Sequence, residues 1–135
     1  MAATAIGLAQ LLLDLSIEHA KTRVQFGAPI ARKGAIQRMI ADMGTELYAA
    51  RMMVYETAGR VDRNEDALKE CSMSKLFATE MVGRAADSAL QIHGGMGYMR
   101  DCPVERIYRD VRAMRIGEGT SEIHRMIIAR SLLRK

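Results

Sequence analysis

Tryptophan is absent from the chain, proline and cysteine occur twice each, and the aromatics are two phenylalanines and four tyrosines. With so little proline and an abundance of Ala, Leu, Met, Glu and Arg, nothing interrupts helix formation and an all-α chain is expected. Cys71 and Cys102 stand far apart and match no metal or redox spacing, which leaves reduced thiols and no disulfide framework. The few aromatics do not interleave with the basic residues, which form no run, so the +4 net charge does not read as a nucleic-acid surface. No stretch reaches the roughly 20 apolar residues of a membrane span. Met1 to Leu15 lacks the basic start of a secretory signal and already shows helical periodicity.

What is present is three long apolar stripes. Ile6, Ala9, Leu13, Ile17, Ala20 and Val24 recur at helical spacing and predict a helix from Ala2 to Val24, ended by Gly27 and Pro29. Ile36, Met39, Ile40, Met43, Leu47, Ala50, Val54 and Ala58 predict a second from Gly34 to Val61. Ala67, Cys71, Ser74, Ala78, Met81, Ala85, Ser88 and Ile92 predict a third from Glu65 to Ile92, whose small residues let a neighbouring helix approach closely. Pro103 starts a short charged helix, Val104 to Val111, and a last helix runs from Thr120 to Leu133 with Ile123, Ile127 and Leu133 inward. The expectation is one up-down helical-bundle domain over residues 1–135. The first helix begins without a capping residue, as expected of a piece of a longer element.

Chemistry concentrates near the C-terminus, in Arg115-Ile116-Gly117-Glu118-Gly119-Thr120-Ser121-Glu122-Ile123. Glu118 sits between glycines just before a helix. It either favours the positive end of that helix or serves as a base that a docking substrate desolvates. Thr120 and Glu122 lie in the first turn, where capping and phosphate binding compete for the same amides. Gly94-Gly95-Met96-Gly97 follows a helix rather than a strand and does not fit G-x-G-x-x-G, which removes a Rossmann reading. The paired glycines favour a close backbone approach to a ligand over a simple helix cap. Arg23-Val24-Gln25-Phe26-Gly27 reads as a recognition edge able to hold a phosphate or an aromatic ring. Glu105, Arg106, Arg109, Asp110 and Arg112 read as an ion-pair network on the short helix, and the three histidines lack ligand spacing for a metal.

Four segments in register resemble the C-terminal domain of the FAD-dependent acyl-CoA dehydrogenases. They are R-x-Q-F-G at Arg23–Gly27, Q-I-x-G-G-x-G-Y at Gln91–Tyr98, P-V-E-R-x-Y-R-D at Pro103–Asp110 and E-G-T-S-E-I at Glu118–Ile123. The resemblance implies oxidation of an acyl-CoA to a trans-2-enoyl-CoA, with Glu118 removing the α-proton while the β-hydrogen leaves as hydride to flavin N5. It implies that Arg23, Gln25 and Phe26, with Gln91, Gly94 and Gly95, reach the adenine-diphosphate part of FAD on a neighbouring subunit. Thr120 and Glu122 would contact FAD in the base-bearing subunit, and Gly119 would lie against the thioester. An electron-transfer flavoprotein as electron acceptor and a homo-oligomer, most readily a tetramer, are implied as well. So is a location in bacterial cytoplasm or the mitochondrial matrix. Relatives carry two further domains, so the segment by itself is expected to fold but not to catalyse. The rival expectation is a non-catalytic assembly module that gives a flavin edge to a partner chain. Gly117 stands where many relatives have an aromatic residue, which suggests a roomier acyl pocket.

Overall fold

The structure is a computed structural model that describes residues 1–134. Five helices form in the expected order: α1 (Ala2–Thr22), α2 (Gly34–Asp62), α3 (Leu68–His93), α4 (Pro103–Ala113) and α5 (Ser121–Leu133). α1, α2 and α3 make an up-down-up bundle. Arg51 of α2 donates to Gln10 of α1 at 2.8 Å, and the buried hydroxyls of Thr57 and Ser74 meet at 2.8 Å between α2 and α3. α4 and α5 both lie against α3, which packs against every other helix.

The central place of α3 follows from its sequence. The small-residue stripe buries Ser74, Ala78, Met81, Ala85 and Ile92. A second row, Lys75, Thr79, Val82, Ala86 and Ala89, repeats at helical spacing on the adjoining face and is buried too. Two buried faces with little bulk let α1 and α2 close on this helix from one side and α4 and α5 from the other. The stripe thus serves packing within the chain rather than association with another. Cys71, which the spacing places in the first row, is exposed instead.

Several expectations are corrected. α1 stops at Thr22, because Val24–Gln25 (β1) pairs antiparallel with Ala28–Pro29 (β2) and draws the chain into a two-residue hairpin. Val24 is therefore exposed rather than part of a buried stripe. The inward face of α1 is Ala5, Ala9, Leu12, Ser16 and Ala20. α3 begins at Leu68 rather than Glu65, and Ala58 of α2 is exposed while Thr57 is buried. α5 touches only one end of α3, so Ser121 is its buried residue; Ile123 is 44% and Leu133 83% exposed. Of the charged cluster on α4, Glu105 and Arg109 pair at 2.6 Å, with no other ion pair on that helix among the described residues.

Beyond α3 the chain reverses as the glycines suggest. Gly94 caps the helix at φ +58°, and Gly97 is buried against it. A Cβ at Gly97 would stand 2.9 Å from both the Leu90 carbonyl oxygen and the His93 Cβ. Because a backbone atom is among the obstacles, Gly97→Ala is expected to destabilise by about 1–3 kcal/mol, read as a lower urea midpoint. An unchanged midpoint would mean the turn is looser than this packing requires.

Candidate functional site

The predicted residues gather at two ends of the bundle. At one end, the hairpin turn carries Phe26 at φ +54° and Gly27 at φ +77°, the pair of left-handed conformations that a tight two-residue hairpin needs. Glycine adopts this freely, but phenylalanine does not, and Phe26 gains no burial in return: it is 93% exposed. Across from it lies the reversal after α3. Together Arg23, Gln25, Phe26, Lys33, Gly94 and Gly95 line a groove of about 580 Å³. A Cβ at Gly94 or Gly95 would meet nothing within 4 Å, so these two backbones face open space. The Lys33 ammonium lies 5.7 Å from the centre of the Phe26 ring. Gln91 is exposed on the last turn of α3 but does not line the groove.

The groove is floored by two histidines that the sequence reading did not assign. His19 of α1 and His93 of α3 stack with ring centres 4.4 Å apart, and His93 is tied by a ring nitrogen to the Ala89 carbonyl at 2.8 Å. Burial, then the neighbouring His93 and Arg23, pushes His19 below the ordinary histidine range. A histidine with a depressed folded value takes up its proton more readily when unfolded. Its contribution is therefore present above about pH 6.5 and is lost as pH falls below that. Denaturation midpoints are expected to decline with acidification from about pH 7 to 5, with a shallower decline in His19→Gln. Identical pH dependence in the two proteins would remove His19 from the account.

At the other end, Glu118 (φ +54°) and Gly119 (φ +92°) form a sharp elbow between α4 and α5. Thr120 caps α5 as its sequence position suggests, its hydroxyl accepting from the Ile123 amide at 3.4 Å. Hydrogen bonds to its own backbone amide and to Thr120 hold the Glu122 carboxyl below its ordinary range. The elbow is braced from behind. The Lys75 ammonium donates to the Gly119 carbonyl at 2.6 Å, and His124 Nε2 lies 3.2 Å from the Glu118 carbonyl. Glu80 accepts from the Ser121 hydroxyl at 2.6 Å and lies 3.3 Å from Arg115 Nε. Gly83 makes room for this arginine, since a Cβ there would overlap the guanidinium. The Glu118 side chain is left 67% exposed, with the Met1 amino group 3.8 Å away. A Cβ at Gly117 would lie 3.1 Å from Met1 Cε, so Met1 occupies part of the space a larger residue there would take.

Lys75 and His93 mark the two ends, and 18 residues of α3 (93 − 75) separate them, about 27 Å at 1.5 Å per residue. A recess of about 830 Å³ also lies between α3 and α4, walled by Gly83, Arg84, Asp87, Tyr108, Arg109 and Arg112, and none of the sequence-predicted site residues lines it. Among the described residues no group of His, Cys, Asp or Glu is arranged to hold a metal ion, and no helix is long and apolar enough to cross a membrane.

Comparison with known proteins identifies the family of the chain. The sequence model for the acyl-CoA dehydrogenase C-terminal domain matches residues 1–133. The chain belongs to the acyl-CoA dehydrogenase family. It is 52% identical to "Probable acyl-CoA dehydrogenase YngJ" of Bacillus subtilis, over 99% of this chain and 35% of that protein. It is 47% identical to the "Caffeyl-CoA reductase-Etf complex subunit CarC" of Acetobacterium woodii, over 100% of this chain and 36% of that protein. A solved structure described as the FAD complex of PigA superposes with a TM-score of 0.94 at 32% identity, covering 97% of this chain and 34% of that one. The chain thus spans about a third of the length of the curated relatives it matches.

Within this acyl-CoA dehydrogenase domain, the residues missed from sequence are the braces: Lys75, Glu80, Arg115, Ser121 and His124. One signal was available. Lys75 interrupts the second small-residue row of α3, where a charge has no packing reason to be. Glu80 meets Arg115 and Ser121 across the chain, while His124 reaches back six residues to Glu118, and nothing in their local spacing marks them.

Proposed function

We propose that this chain is the part of an FAD-dependent acyl-CoA dehydrogenase that carries the catalytic base, with Glu118 exchanging the proton at the α-carbon of an acyl-CoA thioester. The observation that carries this reading is the elbow: an exposed carboxylate on two successive left-handed residues, braced through both carbonyls. Such a conformation costs about 1–3 kcal/mol at a non-glycine residue and persists where surrounding groups enforce it. Gly119 leaves the approach to the carboxylate free of a side chain, as contact with a thioester requires. Oxidation of the thioester would use Glu118 as carboxylate to take the α-proton. In the reductive direction, which the name of the caffeyl-CoA relative suggests, the same carboxyl returns it.

The groove at the far end fits the adenine-diphosphate half of FAD. Arg23 and Gln25 offer donors, Gly94 and Gly95 offer open backbone for phosphate oxygens, and Phe26 offers an uncovered ring face. Gln91 lies beside this groove, while Thr120 and Glu122 lie beside the elbow, where the inner part of the cofactor would come. Bound FAD would supply the two-electron acceptor for the reaction. Two patches at opposite ends of one bundle support a flavin completed by two copies of the chain. The exposed Tyr48, Met52 and Tyr55 of α2 offer an apolar face for such an assembly, a homodimer or homotetramer. An electron-transfer flavoprotein is the proposed redox partner, in keeping with the Etf complex named for the caffeyl-CoA relative. Glycine at position 117 supports a roomier acyl pocket.

Retention of flavin tests the groove. In the complete enzyme, Arg23→Ala and Phe26→Ala are expected to lower the flavin-to-protein ratio after gel filtration. The visible absorption spectrum against intact mass measures this. Full flavin content in a double variant would overturn the assignment of the groove.

A further inference from the structure

A buried lysine is an expensive choice on a helix whose other inward residues are small or apolar. Lys75 is 7% exposed, and its hydrogen bond crosses 44 residues of sequence to reach the Gly119 carbonyl. Desolvation pushes its ammonium below the ordinary lysine range, with Glu118 and Glu80 pulling the other way. The sign is clear: a lysine with a depressed folded value takes up its proton more readily when unfolded, so at neutral pH its charge works against the fold. The stability of α3 therefore does not explain the residue.

Its surroundings do. Glu80 is already engaged by Ser121 and Arg115, so it is not free to be the lysine's main partner. What Lys75 holds is one of two consecutive carbonyls, the other being held by His124 at 3.2 Å. Pinning both carbonyls holds the two peptide planes that follow Glu118 and Gly119, and so the elbow with φ angles of +54° and +92° from which the Glu118 carboxylate projects. His124 sits on α5 and moves with the elbow, whereas Lys75 sits on the central helix and ties the elbow to the body of the domain.

We propose that Lys75 is the positioning residue of the catalytic base: it anchors the Gly119 carbonyl to α3 and thereby sets the direction and the rigidity of Glu118. The proposal rests on the reading of Glu118 as base, and it adds a residue that acts through the backbone rather than on substrate.

The test compares Lys75→Met, Lys75→Arg and Glu118→Gln in the complete flavin-loaded enzyme, with two readouts. Hydrogen exchange at residues 117–121 reports the elbow, and steady-state kinetics with an acyl-CoA report its consequence. Lys75→Met keeps most of the unbranched side chain, one atom shorter, and removes a costly charge, so the fold is expected to survive. Exchange across 117–121 should rise about tenfold or more, as loss of a charge-assisted hydrogen bond predicts, while the protected core of α3 stays unchanged. Turnover should fall about 10- to 100-fold with little change in KM or flavin content, because a misplaced base loses rate rather than binding. Lys75→Arg, which keeps a buried donor and charge, should recover part of both.

Unchanged exchange at 117–121 in Lys75→Met would overturn the proposal. So would exchange that rises equally along α3, which would make Lys75 a merely structural residue. If Lys75→Met does not fold, Lys75→Gln replaces it with the same expected outcomes. Should Glu118→Gln retain turnover, the base assignment fails, yet the exchange readout still decides whether Lys75 sets the elbow.

Discussion

Glu118→Gln is expected to lower turnover of the complete enzyme on an acyl-CoA by about 10²–10⁴-fold, the range a general base contributes. Flavin content and denaturation midpoint should hardly move. The reason lies in how little the side chain does for the fold. It is 67% exposed, and its ion pair with the Met1 amino group is 3.8 Å long. An exposed ion pair of that length contributes about 0–1 kcal/mol. The conformation of the elbow is held by backbone carbonyls on Lys75 and His124, which glutamine leaves in place. A large kinetic loss without a stability loss is therefore the signature of a base. A small kinetic loss would favour the rival view, in which this bundle only assembles with a catalytic partner.

The largest effect on stability is expected at Met81. It is fully buried on the face of α3 that meets the rest of the bundle, and replacing a buried Met by Ala costs about 2–5 kcal/mol through lost contacts and residual cavity. Against a total of about 5–15 kcal/mol for a folded domain, this removes a large share of the margin. Urea unfolding of Met81→Ala should show a sharply lowered midpoint at unchanged slope. Leu133→Ala provides the contrast: at 83% exposed it should fall within about 0.5 kcal/mol of the parent. Equal effects at the two positions would mean that the core does not lie along α3.

Much of this was legible in the sequence because helices write their packing at a fixed period. The small-residue stripe of α3 marked a helix that a neighbour approaches closely, and Gly94 through Gly97 marked the reversal after it. Legibility ended where non-local geometry begins. The apolar spacing of Ile123, Ile127 and Leu133 could not reveal that Ser121 is the buried residue of α5 while Ile123 and Leu133 stay exposed. The helical spacing of Val24 could not reveal that pairing with Pro29 removes it from α1. The two-ended site is a similar case. Motif order places Arg23 and Glu118 in one family, but only the parallel course of α1 and α3 puts their patches about 27 Å apart, at 1.5 Å of rise per residue. The Glu118–Gly119 elbow was visible as a carboxylate beside glycine. The lysine behind it was visible only as a charge in a row of small residues, and its partner was not, because that partner lies 44 residues away.

The most direct test of the central claim is the washout of α-hydrogen from a saturated acyl-CoA in D₂O, followed by mass spectrometry with the complete enzyme. The account predicts deuterium at the α-carbon with the parent protein and almost none with Glu118→Gln at equal flavin content. Equal incorporation by both would show that another group abstracts the proton, and would contradict the assignment of Glu118.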